Sequence, residues 1–253
     1  MSSISNVSIL ILAGGLGKRM KSELPKVLHK LGDKPMLVRV LESANALNPR
    51  TIYIVVGKYK DVIQETLMEY LDIGNVVFID QPNAQGTGHA LQCALPELVK
   101  HDTTDQILVL SGDVPLLTTE TMQSMIENND SPVKLMTTRT DNPTGYGRII
   151  VDAKNTFQKI TEEKDCNVQE RQITLINAGV YAFNAGLLCK YLPLIQNNNA
   201  QNEYYLTDIF EIMIQRMGLE IGLVNLPEER SVELTGINTK EQLEELNNSM
   251  TKP

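Results

Sequence analysis

Three short stretches carry the residue types that phosphate chemistry needs. The first is Leu12-Ala13-Gly14-Gly15-Leu16-Gly17-Lys18-Arg19-Met20, followed by Leu24-Pro25-Lys26. Glycine lets backbone N–H groups approach phosphate oxygens closely and permits positive φ. Arg19 and Lys26 add cations, and transfer from a triphosphate needs positive charge both at the attacked phosphorus and at the departing pyrophosphate. Met20 stands where a dinucleotide fingerprint would place its third glycine, which disfavours an NAD-type binder. Lys18 is not followed by Ser or Thr, so the loop is not a P-loop either.

The second stretch is Ser111-Gly112-Asp113-Val114-Pro115-Leu116. A lone carboxylate just past a strand suits a divalent ion, because Mg²⁺ is usually held by one or two carboxylates plus substrate phosphates and water. It equally suits an Asp that caps a turn. The third is Gln81-Pro82-Asn83-Ala84-Gln85-Gly86-Thr87-Gly88-His89-Ala90. Amide side chains can read the edge of a base, and N–H groups at a helix start can hold phosphate. His89 reads more simply as a hydrogen-bonded structural histidine. Two later groups are rich in partners for sugar hydroxyls and equally consistent with turn chemistry. They are Gly145-Tyr146-Gly147-Arg148 with Glu162-Glu163-Lys164-Asp165 and Asn177-Ala178-Gly179, and the run Asn197 to Asp208.

These residues must be positioned by strands and helices. Residues 8–13, 51–56, 76–79 and 106–110 read as buried strands. Residues 35–47, 59–70, 87–100 and 118–128 have helical spacing. Their alternation predicts a doubly wound, mostly parallel α/β sheet, in which ligands sit beyond the carboxyl ends of the strands. Gly14 to Gly17 and Asp113 both follow strand ends, so one cleft can hold them together. After Ser131 the alternation breaks. Strands are expected at 133–139, 147–151, 156–161 and 172–183, and helices at 205–217 and 240–250. The whole chain is read as one domain, with a nucleotide-binding half over about 1–130 and a sugar-facing half over about 131–253.

Composition narrows the partners. The 253 residues carry a net charge of −8, which speaks against nucleic acid. Between Lys18 and Lys30, however, five cations (Lys18, Arg19, Lys21, Lys26, Lys30) face one acid, Glu23. A cationic loop on an acidic background suits a small polyanion. The apolar runs are far shorter than the ~20 residues that span a bilayer, so no membrane partner is expected. Three scattered thiols and the lack of a leader-like start point to the cytoplasm.

Together the motifs resemble the UDP-N-acetylglucosamine pyrophosphorylase family, the uridylyltransferase half of the bacterial bifunctional enzymes. The resemblance spans about residues 7–245. It rests on LAGGxGxRM…LPK, QGTGHA, GDVPL, PTGYGRI, NAGVY and NNAQxEYYLTD. It implies a Rossmann-like fold of the nucleotide-diphospho-sugar transferase type and Mg²⁺-dependent transfer of UMP from UTP to N-acetylglucosamine 1-phosphate. It further implies that Leu12, Ala13, Gly14, Gly15 and Gly112 line the nucleotide, and that Gln81, Gly86 and Thr87 contact the uracil. Arg19 and Lys26 would act on the phosphates, and Asp113 and Asn238 would hold Mg²⁺. Gly147, Glu162, Asn177, Tyr205 and Thr207 would contact amino sugar and ribose.

This chain departs from the family at Ser111, where tyrosine is usual, and at Asn83-Ala84, where a glutamine or glutamate pair is usual. It also ends at Pro253 without the hexapeptide array of an acetyltransferase β-helix, so acetyl transfer is not expected of it. Two alternatives remain open. One is a related transferase acting on another sugar 1-phosphate, such as glucose 1-phosphate. The other is a catalytically silent sugar-nucleotide sensor.

Overall fold

Continuous apolar, β-branched runs build the centre of the molecule. The computed structural model describes residues 6–15, 17–127 and 131–250. The first strand, β1 (Val7–Leu12), leads through a small hairpin of β2 (Lys30–Leu31) and β3 (Lys34–Pro35) into α1 (Met36–Asn45). There follow β4 (Ile52–Val56), α2 (Lys60–Met68), β5 (Val76–Asp80), α3 (Thr87–Leu98), β6 (Gln106–Ser111) and α4 (Thr119–Glu127). The second half contains β7 (Val133–Arg139), β8 (Arg148–Val151), β9 (Phe157–Thr161), β10 (Leu175–Asn184), α5 (Ala185–Tyr191), α6 (Asp208–Met217), β11 (Gly222–Asn225) and α7 (Lys240–Met250).

The main sheet has the order β11-β7-β10-β6-β1-β4-β5, with β8 and β9 joined at β10. Along that path only β10 runs antiparallel to its neighbours, against both β6 and β7. The sheet is therefore mixed and mostly parallel, as expected. The chain steps outward from β1 to β4 to β5 and then returns to the other side of β1 as β6. That reversal opens a crevice at the carboxyl ends of β1 and β6, the usual ligand position in such sheets.

Alternation along the central strands supplies two cores, one on each face. Ile9 and Ile11 pack with Leu37, Leu41 and Met125 of α1 and α4. Leu10 points to the opposite face, with Leu91 and Leu98 of α3 and Phe210 of α6. Helices thus cover both sides, which is why the central strands are apolar throughout rather than alternating with polar residues. A third, small core joins Met20, Leu31 and Met36 to Ile237, Leu243 and Leu246, fixing α7 against the loop after β1. Among the described residues no helix is long and apolar enough to cross a membrane.

Two expectations shift. The helix read from Tyr205 begins at Asp208: the Tyr204 and Leu206 N–H groups and the Tyr204 carbonyl bond outward to residues 85–88, and residues 205–209 make only i+3 turn bonds ahead of the helix. The strand read from Gln172 begins at Leu175, since Glu170–Gln172 is a 3-10 turn. The end of the helix read to Asn128 lies outside the described residues.

Candidate active site

Four polar side chains meet at the crevice between β1 and β6. Lys26 opens the 3-10 turn Lys26–Leu28, directly after Pro25. Asp113 lies two residues past β6, and Asn238 lies just ahead of α7. Two backbone bonds bring these distant segments together, from Gly112 N–H to Leu12 O (3.0 Å) and from Ile237 N–H to Asp113 O (2.9 Å). Lys26 Nζ donates to the Asp113 carboxylate and, at 3.1 Å, to Asn238 Oδ1. Arg19 Nη2 donates to the same Asn238 oxygen at 3.0 Å. Asn238 is held in turn by a capping box. Gln242 N–H donates to Thr239 Oγ1, and Gln242 Oε1 accepts from Thr239 N–H and from Asn238 N–H (2.7 Å).

Above this cluster opens a cleft of about 710 Å³, a size typical of small-ligand sites. Leu12, Ala13, Gly14 and Gly15 form one wall with Gln81, Gly86 and Thr87. Gln81 is 5% exposed, and its Nε2 donates to Gly86 O at 3.1 Å. Gly86 has φ +107°, and a Cβ there would stand 2.5 Å from Tyr204 O. The glycine is thus required by the docking of a second segment. Tyr204 N–H donates to Gln85 O, Gly88 N–H donates to Tyr204 O, and Leu206 N–H donates to Thr87 Oγ1. The turn on the nucleotide-side wall and the segment that carries Tyr205 and Thr207 are one welded unit.

Glu162 and Tyr205 form another part of the cleft wall. Burial pushes the Glu162 carboxyl above the usual range, against the hydrogen bond it accepts from Thr207 Oγ1 at 2.8 Å. Burial likewise pushes the Tyr205 phenol up to about 12, and its O–H donates to Asp165. Gln201 and Glu203 also line the cleft. In the sequence both belong to the NNAQxEYYLTD motif of the resemblance, which gave neither a role.

Of the residues singled out from sequence, Gly112, Gly147, Asn177 and Thr207 sit behind the wall rather than on it. Gly112 ties β6 to β1, and Thr207 holds Glu162. Gly147 O accepts from Asn177 N–H at 2.9 Å. The Asn177 side chain is taken up by the irregularity in β10, donating to the Tyr181 hydroxyl and accepting from Gly179 N–H. His89 is hydrogen-bonded, as a structural histidine should be, but its partner is Gln81 of the cleft wall.

Comparison with known proteins places the chain in a family. The model of the MobA-like NTP transferase domain matches residues 9–170. A relative from Acanthamoeba polyphaga mimivirus, described as a probable UDP-N-acetylglucosamine pyrophosphorylase, is 41% identical over 93% of each chain. The bifunctional protein GlmU of Clostridium botulinum is 39% identical over 96% of this chain and 52% of its own, so this chain spans about half the length of that relative. Among solved structures, a putative glucose-1-phosphate thymidylyltransferase from Bacillus anthracis shares the fold. It has a TM-score of 0.71 and 18% identity over 98% of this chain and 96% of that one. The glycine loop and Asp113 fall within the matched residues at the sheet's point of reversal, and the chain belongs to the MobA-like NTP transferase family and is a nucleotidyltransferase enzyme.

Proposed function

We propose that the chain transfers UMP from UTP to N-acetylglucosamine 1-phosphate, giving UDP-N-acetylglucosamine and pyrophosphate. The observation that carries this reading is the meeting of Arg19, Lys26, Asp113 and Asn238 beneath a cleft with an amide-bearing wall and a carboxylate-bearing wall. The relative described as a probable UDP-N-acetylglucosamine pyrophosphorylase matches over 93% of this chain.

The donors suit Mg²⁺. Asp113 and Asn238 offer one carboxylate and one amide oxygen, both hard, and both already turned toward a single cation at Lys26 Nζ. No group of three or more metal-ligating side chains exists among the described residues. A site with few protein ligands is what Mg²⁺ shares with substrate phosphates and water. When bound there, the ion would supply positive charge to the phosphate oxygens.

The remaining work falls to side chains. The glycine loop brings backbone N–H groups to the triphosphate, while Arg19 and Lys26 stabilise the charge that builds as pyrophosphate departs. The sugar phosphate oxygen attacks the α-phosphorus in line. A phosphate monoester has its second pKa near ~6 and is largely dianionic at neutral pH, so no general base is needed. Catalysis is then positioning plus charge stabilisation. Glu162, kept in place by Thr207, and Tyr205 face the sugar.

The test is pyrophosphate release from UTP and Mg²⁺ with N-acetylglucosamine 1-phosphate, glucosamine 1-phosphate or glucose 1-phosphate. The N-acetylated sugar should dominate. Dominance of another sugar would overturn the acceptor assignment, and silence with all three would overturn the transferase reading of this cleft.

A further inference from the structure

The Gln81 amide has two ends, and the structure decides which one faces the cleft. Its Nε2 lies 3.1 Å from Gly86 O and 3.1 Å from His89 Nδ1. A carbonyl oxygen can only accept, so the nitrogen end must face Gly86. The second amide hydrogen goes to His89 Nδ1, which accepts when the imidazole carries its proton on Nε2. That nitrogen points at Cys93 Sγ, 3.8 Å away. The tautomer is the one the network demands. Both Gln81 hydrogens are therefore consumed inside the wall. The oxygen is left beside Gly14, where an added Cβ would stand 2.8 Å from it. Gly14 and Gln81 both line the cleft.

We infer that His89, together with the Gly86 carbonyl, locks Gln81 as a hydrogen-bond acceptor toward the cleft, which makes His89 a positioning residue for base selection. A base that offers an N–H there, as the imide of uracil does, gains a hydrogen bond. Cytosine offers a lone pair at the corresponding ring nitrogen and meets the Gln81 oxygen unfavourably. Turning the amide over to suit cytosine would break the bond to Gly86 O and set two oxygens against each other. The residue that sequence reading leaves as structural thus acts on specificity without touching the substrate. The inference rests on the proposed seat of the base against Gln81.

The test is calorimetric binding of UTP and of CTP, without sugar phosphate, to wild type, His89→Leu and His89→Gln. Wild type should favour UTP. His89→Leu frees one Gln81 N–H and should narrow the UTP:CTP ratio about three- to tenfold, the worth of one net hydrogen bond. His89→Gln can accept the same N–H through its carbonyl and should keep the ratio. Equal binding of both nucleotides by wild type, or an unchanged ratio in His89→Leu with both weakened alike, would overturn the lock.

Hydrogen exchange of the Gln81 side-chain amide in wild type gives a second reading that requires no variant. Slow exchange is expected, and fast exchange would overturn the lock. Binding needs no turnover, so the two proposals fail separately. A protein that prefers UTP but releases no pyrophosphate sinks the transferase reading alone. One that turns over UTP and CTP equally sinks the lock alone.

Discussion

Lys26 and Asp113 form an ion pair at the floor of the cleft, with side chains only 15% and 18% exposed. The ammonium occupies the point toward which the proposed metal-holding oxygens of Asp113 and Asn238 both turn. Lys26 Nζ thus stands where a divalent ion held by those two oxygens would stand, so the ammonium and the proposed ion compete for the same partners.

Lys26→Ala should cost roughly 10² to 10³ in turnover, by analogy with the loss of one donor aimed at a transition state. It should also leave the Asp113 carboxylate without its ammonium, while Asn238 Oδ1 keeps its bond from Arg19. A ligand stabilises a fold in proportion to how readily it binds the native state, so Mg²⁺ should raise the melting temperature of Lys26→Ala more than that of wild type. Arg19→Ala should lose comparable turnover with a smaller change in that metal response, because Arg19 contacts Asn238 but not Asp113. Turnover and thermal melts with and without Mg²⁺ check both variants. Equal metal shifts in Lys26→Ala and wild type would separate the ammonium from the metal site.

The legible parts of this fold are those that one segment determines alone. Ile9 to Ile11 and Ile52 to Val56 are buried on both faces, so their apolar runs announce strands. Residues 133–139 and 240–250 fall on β7 and α7 as read. What escapes reading is fixed by partners. Gly222–Asn225 is a strand only because β7 lies beside it, and seven-residue α5 follows β10 directly, capped by Asn184. The floor of the cleft was readable because Asp113 follows a glycine-marked strand end and Lys26 stands after Pro25 in the cationic run that follows the other. The roles of His89 and Gln242 were not, since each depends on an atom that chain folding alone brings near.

Gly86→Ala tests the weld between the two walls. The substitution places a Cβ at φ +107° and 2.5 Å from Tyr204 O, so the docked segment must move. Non-glycine side chains in such a conformation cost more than about 1 kcal/mol. The expected result is a lower melting temperature together with a raised KM for the sugar phosphate, because Tyr205 and Thr207 ride on that segment. Gly15→Ala meets nothing within 4 Å and should melt near wild type. Comparable melting temperatures for the two variants would argue that the weld carries no stability.

Glu233 holds the segment that delivers Asn238. It is buried, and its carboxylate accepts from Thr118 Oγ1 (2.7 Å), Thr121 Oγ1 (2.6 Å) and Arg230 Nε (2.6 Å). The arginine and hydroxyl donors keep the carboxyl below its ordinary range despite burial. Thr118 follows Asp113 by five residues and Glu233 precedes Asn238 by five, so this clamp sets the spacing of the two oxygens. Removing hydrogen bonds to a charged acceptor costs about 2 kcal/mol. Glu233→Ala should therefore melt lower and need more Mg²⁺ for half-maximal rate. An unchanged metal requirement in a destabilised variant would reduce Glu233 to a fold-stabilising role.

Asp208, at the start of α6, gives the stability of the protein a pH dependence. Burial, then the charges of Glu162, Glu211 and Asp165, push its carboxyl from 3.8 up to about 6. The folded chain holds that proton more tightly than the unfolded chain does. Its contribution to stability is complete below pH about 3.8 and is lost as pH rises through about 6. Above that window the ionised carboxylate opposes folding. Asp208→Asn removes the charge without changing the shape, so it should melt higher than wild type at pH 7.5. The gap should close as pH falls toward 4, where wild-type Asp208 is neutral as well. Melting curves taken across pH 4 to 8 decide the matter, since a gap that stays constant over that range would place the raised carboxyl elsewhere than Asp208.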